Sequence, residues 1–331
     1  MRSGLDMRRL VNRDANMVQL LGLTVGIFLL MAMLNEKFLR AYNFESITYV
    51  APELGLLSIA MMLAMLTGGI DLSVIGIANL SGILAGLFFH AVGGGHGPGL
   101  TDLPLQMVAA GVLIALGTGL LAGMLNGFLI ARAHITPILA TIGTGQVYVG
   151  LSLVLTGGPA IVGFPAWWDG IGNGKLFGIA LPLVLFVVIA ALVSLVLTRT
   201  PLGINLCLIG TSPKAATFAG VRMGRAIFLS YVATGALASV AGILLSGRTN
   251  AAKSDYGTSY LLQAVLIAVL GGTNPAGGRA TVLGVAVALV ALMFLSSGFQ
   301  LMRFSNFLVD FIWGAFLLLV IAGNALRNRA R

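Results

Sequence analysis

The chain has 331 residues, of which 58% are hydrophobic and 9% charged, and its mean hydropathy is +1.01. Soluble domains carry about 25% charged residues, so this composition excludes an ordinary globular enzyme and specifies an all-α, polytopic membrane protein. The net charge of +9 would suggest nucleic acid in a soluble chain, but here the cations fall between apolar spans and read as topology signals.

Arg2, Arg8, Arg9 and Arg13 precede the apolar run 17–34. That run exceeds a signal-peptide core and lacks a small-residue cleavage site, so it reads as a retained first span behind a cytoplasmic segment, 1–16. Since about 20 apolar residues cross a bilayer as helix, the remaining segments lie near 47–67, 72–92, 104–131, 137–155, 177–197, 226–246, 258–271, 281–297 and 307–322. That gives ten spans in one transmembrane domain, 17–325, followed by a basic tail, 326–331. With both termini cytoplasmic, the inner side holds 13 Lys and Arg against 6 outside.

The second and third spans are separated only by Gly68-Gly69-Ile70-Asp71-Leu72-Ser73-Val74. A carboxylate and paired glycines in lipid-grade sequence mark a broken helix. Asp71 has two readings: a cap that accepts bonds from the Ser73 or Val74 amides, or a group that meets solute or acts as a gate. The cap is favoured, because Gly-Gly-x-Asp is what a helix restart needs.

The fourth span is too long to stand straight and is expected to tilt or break near Asn126-Gly127. Gly119, Gly123 and Gly127 recur on one face, and Gly82 and Gly86 repeat the spacing. Such faces let helix backbones approach closely, and packing within one subunit is favoured over a subunit interface. In the outer loop, Trp167 and Trp168 read as interfacial anchors rather than a docking surface for a soluble protein.

The inner loop 199–225 holds Ser212-Pro213-Lys214-Ala215-Ala216-Thr217-Phe218-Ala219-Gly220, a complete short helix: Ser212 caps it, Pro213 fits its first position and Gly220 stops it. Two turns alone in water are marginal, so this helix must lie on the bilayer or dock on a partner, and Phe218 with the small alanines suits docking. The eighth span is short and ends at Gly271-Gly272-Thr273-Asn274-Pro275-Ala276-Gly277-Gly278-Arg279, a second break or a tight cytoplasmic turn.

Polar residues available to a neutral solute are Asn79, Ser81, Asn126, Thr141, Thr144, Gln146, Thr234, Gln263 and Asn306, and amides and hydroxyls suit a polyhydroxylated solute better than an ion. Glu53 and Asp310 lie near segment ends, where charge is cheaper. A single cysteine, Cys207, and three scattered histidines (His90, His96 and His134) give no metal-ligand spacing. No GxxxxGK[ST] phosphate loop is present, and no cofactor is implied.

Gly68–Val74, Leu125-Asn126-Gly127 with Thr136–Gly143, Gly210–Gly220 and Gly271–Gly278 together resemble the membrane permease subunit of bacterial ATP-binding-cassette sugar importers, over about residues 45–325. This ribose-type family includes permeases for autoinducer 2, rhamnose and polyols and is related to branched-chain amino acid permeases. The resemblance implies a bacterial inner-membrane location, a second permease subunit (identical or a paralogue), cytoplasmic ATPases and a periplasmic binding protein. It also implies that Ser212–Gly220 couples to the ATPase, so that the chain is itself non-catalytic. At 257–263 the chain lacks the family's acidic residues, and Ile75 and Ala280 stand where glycine is frequent. These departures resemble the autoinducer 2 branch more than the ribose permeases, so the implied cargo is taken only as far as a small neutral sugar or polyol. The alternative is a gradient-driven secondary transporter with Asp71 as its coupling carboxylate.

Overall fold

A computed structural model describes residues 3–93 and 103–329 of the chain. Arg2, His96 and Arg331 lie outside the described residues. The main helices are α1 (Ser3–Leu34), α2 (Ala41–Leu66), α3 (Val74–Val92), α4 (Leu105–Ala131) and α5 (Pro137–Thr156), then α6 (Ala166–Asn173), α7 (Leu181–Arg199), α8 (Pro201–Thr211) and α9 (Pro213–Phe218), and last α10 (Met223–Thr249), α11 (Tyr260–Leu270), α12 (Val282–Leu301) and α13 (Asn306–Arg329). Among the described residues the only strands are two-residue pairs: β1 (Ile161–Val162) with β4 (Ala251–Ala252), and β2 (Lys175–Leu176) with β3 (Ile179–Ala180), both antiparallel.

Each of the ten apolar segments falls on a helix. Eight of those helices are long and apolar enough to cross a membrane, while α11 and the apolar stretch of α13 are shorter. Helix is the economical solution here, because hydrocarbon offers no partner for a free N–H or C=O. Prolines start several helices where no intrahelical N–H is required, as at Pro137, Pro201 and Pro213. Gly157, at φ +70°, ends α5 in the left-handed conformation that a side chain resists.

α2 is the axis of the fold: every residue from Ala51 to Leu66 is buried. α10 lies against it and against α3 and α4. Small residues permit this closeness. A Cβ on Gly119 would strike the Gly235 carbonyl and Ser239 of α10, and one on Gly123 would strike the Tyr231 carbonyl. The glycine face is thus spent on packing inside the chain. α7, by contrast, leaves Val187, Val188, Leu192 and Leu195 uncovered, as a lipid-facing helix does.

Three expectations need correction, and the inner loop gains one element. Of the tilt or break expected of α4, the break does not occur: the helix is continuous through Asn126-Gly127, and the Asn126 side chain bonds to Ser73 and Thr144 outside it. Trp168 is not an interfacial anchor: it is fully buried, stacks on Phe164 and donates from Nε1 to Ser246 Oγ at 3.1 Å. Glu53 is not near a helix end, since α2 begins at Ala41, and its buried carboxylate pairs with Arg248 of α10. The inner loop also holds a second helix, α8, with Pro201 at its first position as Pro213 is in α9, but Thr200 makes no side-chain cap bond where Ser212 does.

Candidate translocation site

α2 stops at Leu66, and Gly68 at φ +81° turns the chain away. Asp71 then restarts it. Its Oδ1 accepts from the Ser73 amide at 3.1 Å and the Ser73 hydroxyl at 2.6 Å, and its Oδ2 accepts from Thr234 Oγ1 of α10 at 2.7 Å. Asn126 Nδ2 of α4 donates to Ser73 Oγ at 2.8 Å, and Thr144 Oγ1 of α5 donates to Asn126 Oδ1 at 2.6 Å. Thr141 Oγ1, in the second turn of α5, accepts from the Leu72 amide at 3.1 Å. A continuous polar chain therefore pins the start of α3 to α4, α5 and α10, and Asp71, Asn126 and Thr141 are all fully buried in it. Satisfied buried networks of this kind hold one arrangement firmly.

The second break mirrors the first. α11, about 16 Å long at 1.5 Å per residue, stops at Gly271, and Gly272 at φ +87° turns the chain. Asn274 then closes a turn, donating from Nδ2 to the Gly277 carbonyl at 2.9 Å and accepting from the Ala276 amide at 3.2 Å. The turn delivers the Gly278 N–H to the Leu66 carbonyl at 2.9 Å. The two glycine breaks therefore touch, a convergence the linear sequence does not display.

Asn79 stands apart from this cluster. Its Nδ2 donates to the Ser254 and Tyr256 carbonyls, both at 2.9 Å, and ties α3 to the segment that follows β4. Gln146 is exposed on α5, at a groove of about 280 Å³ between the start of α3, α5 and residues 254–261. Leu72, Ile75, Ile142, Val149 and Leu261 make its walls mostly apolar, and Gln146, Ser254 and Thr258 supply the polar side chains. Ser254 escaped the sequence reading because it lies in irregular chain between two spans, and Thr258, read there as the first residue of the eighth span, lies in the turn before α11. Tyr231 escaped it too: it is fully buried, its hydroxyl lacks a hydrogen-bond partner among the described residues, and a Cβ on Gly69 would strike that hydroxyl.

α9 forms as its residues dictate, with Ser212 Oγ accepting from the Ala215 amide at 3.3 Å and Gly220 turning the chain at φ +74°. Its two faces differ. Ala216 is 0% exposed and roots the helix in a cluster with Leu66, Leu206 and Ile209, whereas Phe218 is 93% exposed. Ala216 is thus not part of a docking surface, because the chain itself already covers it. Lys214 and Ala215 are exposed beside Phe218.

The family described as the permease component of the branched-chain amino acid transport system matches residues 43–325, which includes both breaks, the groove and α9. The chain belongs to this family. An autoinducer 2 import system permease protein, LsrD, of Yersinia enterocolitica serotype O:8 / biotype 1B is 30% identical over 315 residues, covering 93% of this chain and 90% of the relative. The corresponding protein of Yersinia pseudotuberculosis serotype O:3 is 32% identical over 279 residues, covering 82% and 80%. No solved structure matches the chain. The permease is thus the multi-pass inner-membrane component of an ATP-binding-cassette importer, as its apolar helices and these relatives together show.

Proposed function

We propose that this permease carries a small neutral sugar or polyol, handed over by a periplasmic binding protein, along the groove beside α5. A second permease subunit completes the pathway, and both termini lie in the cytoplasm. The groove supports this reading because its walls are apolar and its polar side chains are one amide and two hydroxyls, Gln146, Ser254 and Thr258. Such a surface bonds hydroxyl groups without holding a charge. The relatives are named for autoinducer 2 import, which makes autoinducer 2 the first solute to assay.

The observation that carries the reading is the two-faced α9. Ala216 anchors it to the body of the permease while Phe218 projects bare, beside Lys214 and with Arg222 and Arg225 close in sequence. A large exposed aromatic ring on a rooted helix fits a pocket on a partner, and a cytoplasmic ATPase is the partner that would drive transport. Asp71 is already engaged by three donors of its own chain, which suits a structural knot. The test is uptake of autoinducer 2 and ribose into vesicles that hold the permease, its ATPase and the binding protein. Uptake should require ATP and survive a protonophore. Collapse under protonophore with ATP intact would refute the ATP-driven reading.

A further inference from the structure

Three chain segments meet directly beneath α9. They are the end of α2 with Gly68, the Gly277-Gly278 turn of the second break, and the last two residues of α8, Gly210 and Thr211, which lead straight into the Ser212 cap. A Cβ on Gly210 would fall on the Leu66 carbonyl oxygen and the Gly278 amide nitrogen. One on Gly277 would lie 2.7 Å from Gly210 Cα and 3.0 Å from the Gly68 nitrogen. One on Gly278 would run into Thr211. At Gly210 and Gly277 there is therefore backbone against backbone, with no side chain to flex and absorb a displacement, and only at Gly278 does the Thr211 side chain intervene. Close-packed interiors pass strain on rather than damping it.

We infer that Gly210 is a positioning residue through which movement of α9 reaches both helix breaks at once. Leu66 strengthens the linkage, since it shares the apolar cluster with Ala216 of α9 and also accepts the Gly278 amide. A push on α9 shifts Gly210, and Gly210 bears on Leu66 and Gly278 together. The restart of α3 at Asp71 and the end of α11 then move as one unit beside the groove. This inference rests on the reading that α9 receives the ATPase.

The test is hydrogen exchange on the intact complex of permease, ATPase and binding protein, free and trapped with ATP and vanadate. In the wild type, trapping should change protection in three stretches: 199–225, 64–74 and 271–281. In Gly210→Ala the change at 199–225 should persist while the changes at both breaks are lost. Asn274→Ala loosens only the second turn from an exposed position, so it should lose the response at 271–281 and keep that at 64–74. Gly224→Ala, whose Cβ has only the Ala131 carbonyl at an ordinary 3.5 Å, should respond like wild type throughout. Wild-type responses at both breaks in Gly210→Ala would overturn the inference. If that variant does not assemble, a full response at 271–281 in Asn274→Ala would overturn it instead. A wild-type complex silent at 199–225 would bring down the coupling reading itself, and this inference with it.

Discussion

Gly278 donates its backbone N–H to the Leu66 carbonyl at 2.9 Å, so the opposite glycine break takes up the last carbonyl of α2, while the chain's own turn serves Met65 from Gly68 at 2.8 Å and Ala64 from Gly69 at 3.2 Å. The arrangement needs Gly278 at φ +81° and leaves its missing Cβ no room beside Thr211. Gly157 has a similar φ of +70° but open space around it. Gly157→Ala should therefore cost only the left-handed backbone strain, about 1 kcal/mol. Gly278→Ala should cost about 1–3 kcal/mol more, the range for overpacking. Unfolding in mixed micelles by sodium dodecyl sulfate titration measures both, and equal losses would show that the junction yields to a methyl group.

Asp71 answers to a different pair of substitutions. Asp71→Asn keeps an oxygen to accept from Ser73, so most ATP-driven uptake should survive. Asp71→Leu strands the Ser73 amide and hydroxyl, while Thr234 can still donate to the Tyr231 carbonyl at 2.9 Å. Each buried donor left alone costs about 1–3 kcal/mol, enough to lower the amount of folded permease several-fold. Immunoblots of membranes alongside uptake separate the two effects. Loss of uptake in Asp71→Asn at normal abundance would instead give the carboxylate a part in transport.

Glu53, fully buried, and Arg248, partly exposed, make the ion pair that ties α2 to α10. Removing one partner leaves an uncompensated buried charge, a loss on the order of 3–5 kcal/mol. Arg248→Leu should therefore destabilise the permease severely, and adding Glu53→Leu should recover a large part of the loss. The same micellar titration, run on both singles and the double, gives the coupling between them. Additive losses would mean that the two residues act independently of one another.

The ten apolar segments were legible as helices, eight of them long enough to cross, because lipid imposes a length and a composition on any helix that crosses it, and α9 was legible because Ser212, Pro213 and Gly220 are local signals. Neighbourhood was not. Nothing near Gly68 in the chain announces Ala276, and nothing near Ser73 announces Asn126. Glu53 looked peripheral because the polar residues 41–46 hid the first turns of α2. Trp168 looked interfacial because its indole partner, Ser246, lies on α10, far along the chain. Patterns that depend on one helix survive translation from sequence to structure, whereas those that depend on which helix comes alongside do not.

Phe218 and Ala216, two residues apart on α9, should fail in opposite ways. Phe218→Ala removes an exposed ring, so the permease should fold and insert as wild type. Its affinity for the ATPase should drop about 10- to 30-fold, the equivalent of about 1.4–2 kcal/mol for an aromatic anchor. Ala216→Asp buries a carboxylate among Leu66, Leu206 and Ile209, so the permease itself should lose stability before any partner is added. Titrating purified ATPase onto detergent-solubilised permease reads the first effect, and thermal unfolding of the permease alone reads the second. If Phe218→Ala bound the ATPase as tightly as wild type, the anchor would have to be sought among Lys214, Ala215 and the neighbouring arginines.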